Sequence, residues 1–538
     1  MKKIIYIFLL SAFLLSLLSV FSQTPQISWW YDIKDEAFGN SAMADLDMDG
    51  KAEIVFSAYR NDSCVYVLNA EDGSLLWKYN TGGCNDVAPL IFDVDKDDTL
   101  DVILPSSCVA KTFCFNGMTG KLKWECPTRG SDSPPTIADI DNDGQLEILH
   151  GQFQGYVICI NAETGIMEWE LDVDGGNCWV QTAPAILDLD GDGMLDFVVA
   201  TWSFIDSNKI YAYRAHDQQL LWVNSMPQDY IYHGVSYADL DDDGKPELAI
   251  GSYDGTLYVL NGEDGSLFWK HEYPYAYIGA PTSIADLNKD DSLEIICFAY
   301  DIISCFSPTG RKIWEKQLPG YAQSFRGAAI ADVNADDTLD VVLGASDGVV
   351  YAFSGASGRD LWTIDLRAHH DSSDFDIDHA PIIDDFDNDG DLDVFIVGGK
   401  TYYPNIQYDY GRAYAIDLQA GIESDWKMFR HDHLRSACLC ENLFTGIAQE
   451  EQMPTQKIKI FPNPAKTSIT IEYNNSAKKE MVLKIYTINA SLVYEQKLGN
   501  QSYINKQIYL QNLNPGLYFL KLYGADSPLC EKLIILGD

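Results

Sequence analysis

Eight times along this 538-residue chain, acidic residues recur in the pattern D-x-[DN]-x-D-[GD]-x-x-[DE], at intervals of roughly 46 to 53 residues. The first four copies are Asp45, Asp47, Asp49 and Glu53; Asp93, Asp95, Asp97 and Asp101; Asp139, Asp141, Asp143 and Glu147; and Asp188, Asp190, Asp192 and Asp196. The last four are Asp239, Asp241, Asp243 and Glu247; Asp286, Asn288, Asp290 and Glu294; Asp332, Asn334, Asp336 and Asp340; and Asp385, Asp387, Asp389 and Asp393. Carboxylates at positions 1, 3 and 5 converge on one point if the backbone curls, and position 9 adds another from the next strand. Hard oxygen ligands in that spacing suit calcium, so up to eight structural calcium sites are expected. Position 6 must then be left-handed, which favours the Gly found in five copies. Asp98, Asp291 and Asp337 stand there in the other three, and Asp tolerates that region better than most residues. Asn288 and Asn334 keep a carbonyl ligand but lose a charge, which predicts weaker binding in those two loops.

The loops carry much of a formal charge of −43, from 80 acidic and 37 basic residues. Such acidity argues against nucleic acid or anionic lipid as a partner. Without a cation each loop crowds like charges together, so metal binding is expected to be linked to stability.

What positions the loops is a repeated set of short apolar runs. One precedes each loop, such as residues 185–187. Another follows it, such as residues 197–200, and a third lies further on, such as residues 257–260. A Gly-containing turn then leads to a fourth run carrying Trp77, Trp124, Trp169, Trp222, Trp269, Trp314, Trp362 or Trp426. In six repeats a Gly stands four residues before that Trp, as Gly73 does before Trp77. One Trp per repeat at one position predicts packing between neighbouring units rather than a ligand stack. Four short strands per unit predict an all-β fold, an eight-bladed β-propeller with calcium loops, followed by a small C-terminal β-sandwich. Ring closure requires that no sheet edge be left open. Residues 27–32, with Trp29 and Trp30, resemble a fourth strand and are expected to complete the eighth blade. Residues 426–435 are then expected to cap the outside.

These residues resemble two families at once. The acidic loops look like the FG-GAP or VCBS repeats of integrin-type propellers. The Asn69, Asp72-Gly73 and Trp77 segment is similar to the tryptophan-docking, PQQ-like repeat of quinoprotein dehydrogenases and of outer-membrane assembly propeller lipoproteins. Together the two resemblances cover residues 27–436. After residue 446 the character changes. Ile460-Phe461-Pro462-Asn463-Pro464, Leu483-Lys484-Ile485-Tyr486, and residues 513–522 beginning Leu513-Asn514-Pro515-Gly516 resemble the type IX secretion sorting domain of Bacteroidetes. That resemblance implies the type IX secretion machinery as a partner and a secreted or outer-membrane cell-surface location. An ordinary accessory β-sandwich is the alternative.

At the other end Lys2 and Lys3 precede an apolar run over residues 4–20, then Val20-Phe21-Ser22 before Gln23. This reads as a signal peptide over residues 1–22, with a short membrane anchor as the alternative. The expected domains are the propeller at 23–446, a linker at 447–456 and the sorting domain at 457–538, with no transmembrane span in the mature chain. The twelve cysteines would meet an oxidising compartment. Cys108 with Cys114, and Cys297 with Cys305, flank short turns and are candidate disulfides, with free buried thiols as the alternative.

Loops on the face opposite the acidic loops carry aromatic and mixed-charge residues. Tyr59, Trp179, Trp202, Tyr232, His233, Tyr253, Tyr277, Tyr300, Arg326 and His379 are the candidate ligand-binding set, and Arg60 and Phe153 lie in the same loops. Insertions at 366–378 and 400–410 are the longest. Tyr and Trp beside Asp, Arg and His suit an extracellular glycan or a protein, so a binding or adhesion module is the leading reading. A polysaccharide lyase using His233, Arg326 or His379 is the alternative. A quinone-dependent dehydrogenase fits less well, since the adjacent cysteine pair its family commonly carries is missing. The sequence carries no nucleophile elbow, phosphate loop or zinc motif.

Overall fold

The computed structural model describes residues 25–205, 208–421, 423–432, 436–437, 459–461, 465–474, 481–487, 492–501, 503–510, 516–523 and 529–535. The expected signal peptide and linker lie outside the described residues. The chain divides into two compact units, Met1–Gly446 and Ile447–Asp538.

The first unit is propeller-like and all-β in its sheets, each antiparallel, and the first six four-stranded sheets each run in chain order. The first sheet holds Ala42–Ala44, Glu53–Ser57, Cys64–Asn69 and Leu75–Asn80. Sheets two to six repeat that four-strand meander, beginning at Leu90, Thr136, Ala185, Ser236 and Ser283. The seventh contains Ala329–Asp332, Asp340–Gly344, Val349–Ser354 and Asp360–Asp365. The eighth takes Ile382–Asp384, Asp393–Lys400 and Tyr410–Asp417 from one end of the chain, and Gln26–Ile33 from the other. Tyr31 lies opposite Ala413 and Ile33 opposite Gly411, so the N-terminal strand closes the last sheet as its spacing predicts.

Burial explains the composition of each strand. Second strands such as Glu53–Ser57 are buried at every residue, because a neighbouring sheet covers each face. Fourth strands such as Leu75–Asn80 are mostly exposed or half-buried, with Trp77 the buried position, since they lie on the outer edge of the sheet. Consecutive sheets share cores. Trp77 and Val67 of the first sheet meet Phe113 and Phe115 of the second, and Trp29 and Phe395 of the eighth meet Phe56 of the first.

The tryptophans seal these seams. Trp77 lies opposite Val67, beside a register shift between Val67 and Leu68, and the shift recurs in the sheets that follow. Six of the docked indoles, those of Trp29, Trp77, Trp124, Trp222, Trp269 and Trp314, lie against a glycine of the next sheet's turn. A Cβ at Gly265 would fall 2.4 Å from the Trp222 ring, and Gly265 has φ +67°. The indole N–H completes the joint, as Trp222 Nε1 donates to Gly262 O at 2.8 Å.

Two expectations are corrected here. Trp426 is not the eighth docking tryptophan. Trp29 fills that place, donating to Ala70 O at 2.8 Å and covering Gly73. Nor does the segment from Trp426 cap the outside. Glu423–Trp426 pairs with Ala329–Asp332, a fifth strand on the first-strand edge of the seventh sheet. Beyond it Lys427 O accepts from Ile383 N, Arg430 Nη1 donates to Val235 O at 3.0 Å, and Phe429 sits with Ala88 and Ala380. The segment thus touches the first strands, or their approaches, of several sheets and fills the axis they surround. Trp426 and Arg430 are almost fully buried there.

The cysteine expectation also changes. Cys108 is bonded to Cys84, not Cys114. Cys297 and Cys305 are buried free thiols. Cys297 lies opposite Ser304 and Cys305 opposite Ile296, so their side chains leave opposite faces of the sheet.

In the second unit, Lys459–Phe461, Ser468–Asn474 and Tyr503–Tyr509 form one sheet. Leu492–Gly499, Met481–Thr487, Gly516–Tyr523 and Leu529–Ile535 form another. Ile469, Ile471 and Ile508 share a core with Leu483, Ile485 and Leu520.

Acidic loops and the opposite aromatic face

Each acidic loop joins the first and second strands of its sheet. Position 6 is left-handed in all eight, from φ +65° at Asp98 to +98° at Gly390. No atom lies within 4 Å of a Cβ built on Gly50, Gly144, Gly193, Gly244 or Gly390, so dihedral, not space, selects glycine there. Position 4 is left-handed too, at residues as unsuited as Met48, Lys96 and Ala335. The N–H of position 6 donates to position 1 throughout, as Gly244 does to Asp239 at 2.8 Å. The position 9 acid receives the N–H of position 2 in seven loops, as Glu247 does from Leu240 at 2.7 Å.

The curl brings donor oxygens together. Asp45, Asp47 and Glu53 place one oxygen each within 4.8 Å of one another, and the same holds for Asp93, Asp95 and Asp101 and for Asp239, Asp241 and Glu247. Position 9 is buried, and burial pushes Glu53, Asp196, Glu247, Glu294 and Asp393 up to about 7, and Glu147 and Asp340 to about 8. A carboxyl so placed calls for a positive partner. The second loop has one: Lys123 Nζ lies 2.6 Å from Asp95, 3.7 Å from Asp97 and 2.8 Å from Asp101. There burial raises Asp101 only to about 6, against the pull of the ammonium.

On the other face the connections form a continuous aromatic arc. Phe153 meets Trp179 at 4.6 Å between ring centroids, Trp179 meets Phe204 at 5.0 Å, and Phe204 meets Tyr230 at 6.1 Å. Tyr230 stacks on Trp202 at 4.3 Å and 3°, and Trp202 meets Tyr253 at 5.2 Å. Tyr253 meets Tyr277 at 4.9 Å, and Tyr277 touches both Tyr300 and Phe325. Most of these rings are half-buried, and Phe204 is 52% exposed.

A polar set joins the arc. Arg326, buried, lies over the Tyr232 ring, donates to its hydroxyl at 3.2 Å, and faces Asp378 at 3.5 Å. Asp132 accepts from Gln181 at 2.9 Å, and burial with the neighbouring Asp86 holds it well above the carboxylate range.

Of the ten candidates, Trp179, Trp202, Tyr232, His233, Tyr253, Tyr277, Tyr300 and Arg326 connect through these contacts. Tyr59 stands apart, edge-on to Phe38 at 4.8 Å. His233 is buried against Tyr232 and Phe429, and burial beside Arg326 keeps it neutral. His379 is buried, sharing a hydrogen bond with Ser41 Oγ at 2.8 Å. Neither histidine offers an exposed base for the lyase alternative. Of the two long insertions, the first brings Asp378 to Arg326, and their other side chains pack on the closing sheet or on each other: His369 meets Trp30, His370 stacks on Tyr410, and Tyr402 donates to Asp374. Phe204, Tyr230 and Phe325 belong to the arc and were not among the candidates. Their positions in the same connections as Trp202, Tyr232 and Arg326 were the available signal.

Several known proteins share this architecture. The fold is similar to that of the Vibrio cholerae biofilm matrix protein Bap1 (14% identity, TM-score 0.56, covering 76% of this chain and 93% of that one). It is also similar to Saccharomyces cerevisiae Sqt1 (14%, 0.52, 73% and 99%) and to a europium-containing methanol dehydrogenase (13%, 0.50, 73% and 93%). At these identities the likeness shows the fold alone. No curated protein matches the chain. The profile described as secretion system C-terminal sorting domain matches residues 459–536, so this is a type IX secretion product, located at the cell surface or outside the cell. No helix among the described residues is long and apolar enough to cross a membrane. The profile described as outer membrane protein assembly factor BamB matches residues 22–224, 144–272 and 207–428, and the chain belongs to that family of PQQ-like β-propeller repeats.

Proposed function

We propose that the exported chain is a glycan-binding module, an eight-bladed propeller held by calcium in its acidic loops and carried to the surface by a C-terminal β-sandwich. The aromatic arc from Phe153 to Tyr300 is the observation that carries the glycan reading. Sugars present apolar ring faces and hydroxyls, and the arc supplies ring planes beside Arg326, Gln181 and Asp132. The eight-bladed reading is supported by eight sheets in sequence, the last built from both ends of the chain. FG-GAP- or VCBS-type calcium sites are supported by converging oxygens and buried position 9 acids. The ammonium of Lys123 in the second loop supports a cation in the others, since the donor set there already holds one.

The glycan reading is tested by calorimetric titration of the full chain with soluble glycans of neutral, acidic and amino classes. Trp202→Ala removes the ring at the centre of the arc and is expected to weaken the bound class by about 10- to 100-fold. Failure of every class to bind would sink the reading and leave a protein partner.

Lys123 gives a separate prediction. Calcium counted by elemental analysis of dialysed protein is expected to be one fewer than the number of loops. Lys123→Met is expected to restore the missing ion, because Asp93, Asp95, Asp97 and Asp101 then lack their internal cation. An unchanged count in the variant would show that the second loop has no capacity for metal.

A further inference from the structure

Between the aromatic arc and the closing sheet lies a cleft of about 390 Å³. Glu36, Asp376, Asp378 and Lys400 line it, with Phe38 and Phe325. Glu36 is 4% exposed, and its carboxylate finds no hydrogen bond or ion pair among the described residues. Asp35 beside it is satisfied, accepting from Asn61 N, Glu36 N and Thr401 Oγ1. Lys400 is engaged by Asp376 and Asp374, and Arg326 faces Asp378. Lys400, the cation in the cleft's lining, and Arg326 behind Asp378 are thus committed, and Glu36 remains. Burial, Asp378 and Asp376 push it up to about 8, with Lys400 opposing. A buried carboxyl without a partner is costly, and a cation brought by a ligand would relieve it.

The remaining lining narrows the kind of cation. A lysine-like stem calls for an apolar channel, whereas this cleft carries the hydroxyl and amide groups of Ser346, Thr401 and Gln323. Ser346 Oγ accepts from Gln323 N, which leaves its proton to donate, and Gln323 Oε1 accepts from Tyr277, which leaves Nε2. These groups match a polyhydroxylated ring. Phe325 belongs to both cleft and arc, meeting Tyr277 at 5.9 Å and Tyr232 at 6.3 Å. A glycan lying along the arc would reach the cleft.

We propose that this cleft binds a hexosamine unit of the glycan through its free protonated amine, which pairs with Glu36 while the sugar ring lies against Phe325. The inference rests on the glycan reading and adds the charged unit that confers selectivity.

The test is calorimetric titration of the full chain, at slightly acidic pH, with three trisaccharides: glucosamine, N-acetylglucosamine and glucose, all β-1,4-linked. The glucosamine form is expected to bind at least about tenfold more tightly than the other two, a modest figure for one charge-assisted pair. It should also release a proton, seen by repeating the titration in buffers of different ionisation enthalpy, as Glu36 gives one up to pair. Glu36→Gln is isosteric and is expected to erase both the preference and the release. Equal binding of all three sugars would overturn this inference and leave the glycan reading standing. A preference that survives in a folded Glu36→Gln variant would overturn the placement. No binding by any sugar, in a panel where no other glycan class binds either, would overturn both. If Glu36→Gln does not fold, Phe325→Leu replaces it: about tenfold weaker binding of the glucosamine form supports the inference, and unchanged binding overturns it.

Discussion

Chelation of calcium is expected to lower the melting temperature of the full chain by at least roughly 10 °C, the largest single effect among the outcomes considered. The reasoning starts from linkage. A ligand that binds only the native state stabilises it by RT ln(1 + [L]/Kd), about 2.7 kcal/mol per site at a hundredfold excess over Kd. Several such sites act on one ring, and each also relieves like charges forced together by the fold. Asp139, Asp141 and Glu147 hold oxygens within 4.8 Å of one another, a geometry that an empty loop can keep only against their repulsion. The unfolded chain separates them and has no comparable site. Differential scanning calorimetry with excess calcium, then with chelator, measures the effect. Magnesium added after chelation should recover little, since it demands tighter octahedral geometry and keeps its waters. An unchanged melting temperature would mean that the loops are acidic turns stabilised by their own N–H donors, such as Gly144 to Asp139.

The loops were legible in the sequence because their chemistry is local. Acid spacing, the turn residue and the period are all written within nine residues. Even there the left-handed position 4 was hidden, because Met48, Lys96 and Ala335 carry no preference for it and are forced by the curl. The aromatic face was legible in part. Trp202, Tyr232, Tyr253, Tyr277 and Tyr300 stand at repeated connection positions, which a periodic chain exposes. Their adjacency to Phe204, Tyr230 and Phe325 depends on how far neighbouring sheets turn about the axis, which no local pattern encodes. The cleft around Glu36 was not legible, for it gathers residues from connections more than three hundred positions apart. The route of the segment from Trp426 departs from expectation for a related reason: Trp426 keeps the repeat's spacing, but the eighth docking place is filled from the other end by Trp29.

That competition between Trp29 and Trp426 leads to the second large prediction. Trp29→Ala is expected to destabilise the protein by about 3–5 kcal/mol, the cost of a large core aromatic, while Trp30→Ala is expected to cost under about 1 kcal/mol. The two residues are neighbours on one strand and differ in face. Trp29 is 7% exposed, packs beside Phe395 in the seam between eighth and first sheets, and donates its N–H to Ala70 O. Gly73 lies so close beneath it that removal leaves a cavity no side chain of the turn can fill. Trp30 is 51% exposed and loses only its contacts with His369 and Arg412. The difference should exceed that at any other seam, because only this strand reaches its sheet from the far end of the chain. Elsewhere a weakened indole is still held by covalent continuity with its sheet. Here the strand stays by pairing Tyr31 with Ala413 and Ile33 with Gly411, and by that one seam. Once it leaves, Tyr410–Asp417 becomes an open edge and the ring has a gap. Denaturant unfolding of the two variants measures both changes. Exchange of the amide protons of Tyr410–Asp417 should rise in Trp29→Ala before global unfolding. If Trp29→Ala costs no more than Trp30→Ala, the N-terminal strand does not close the ring in solution.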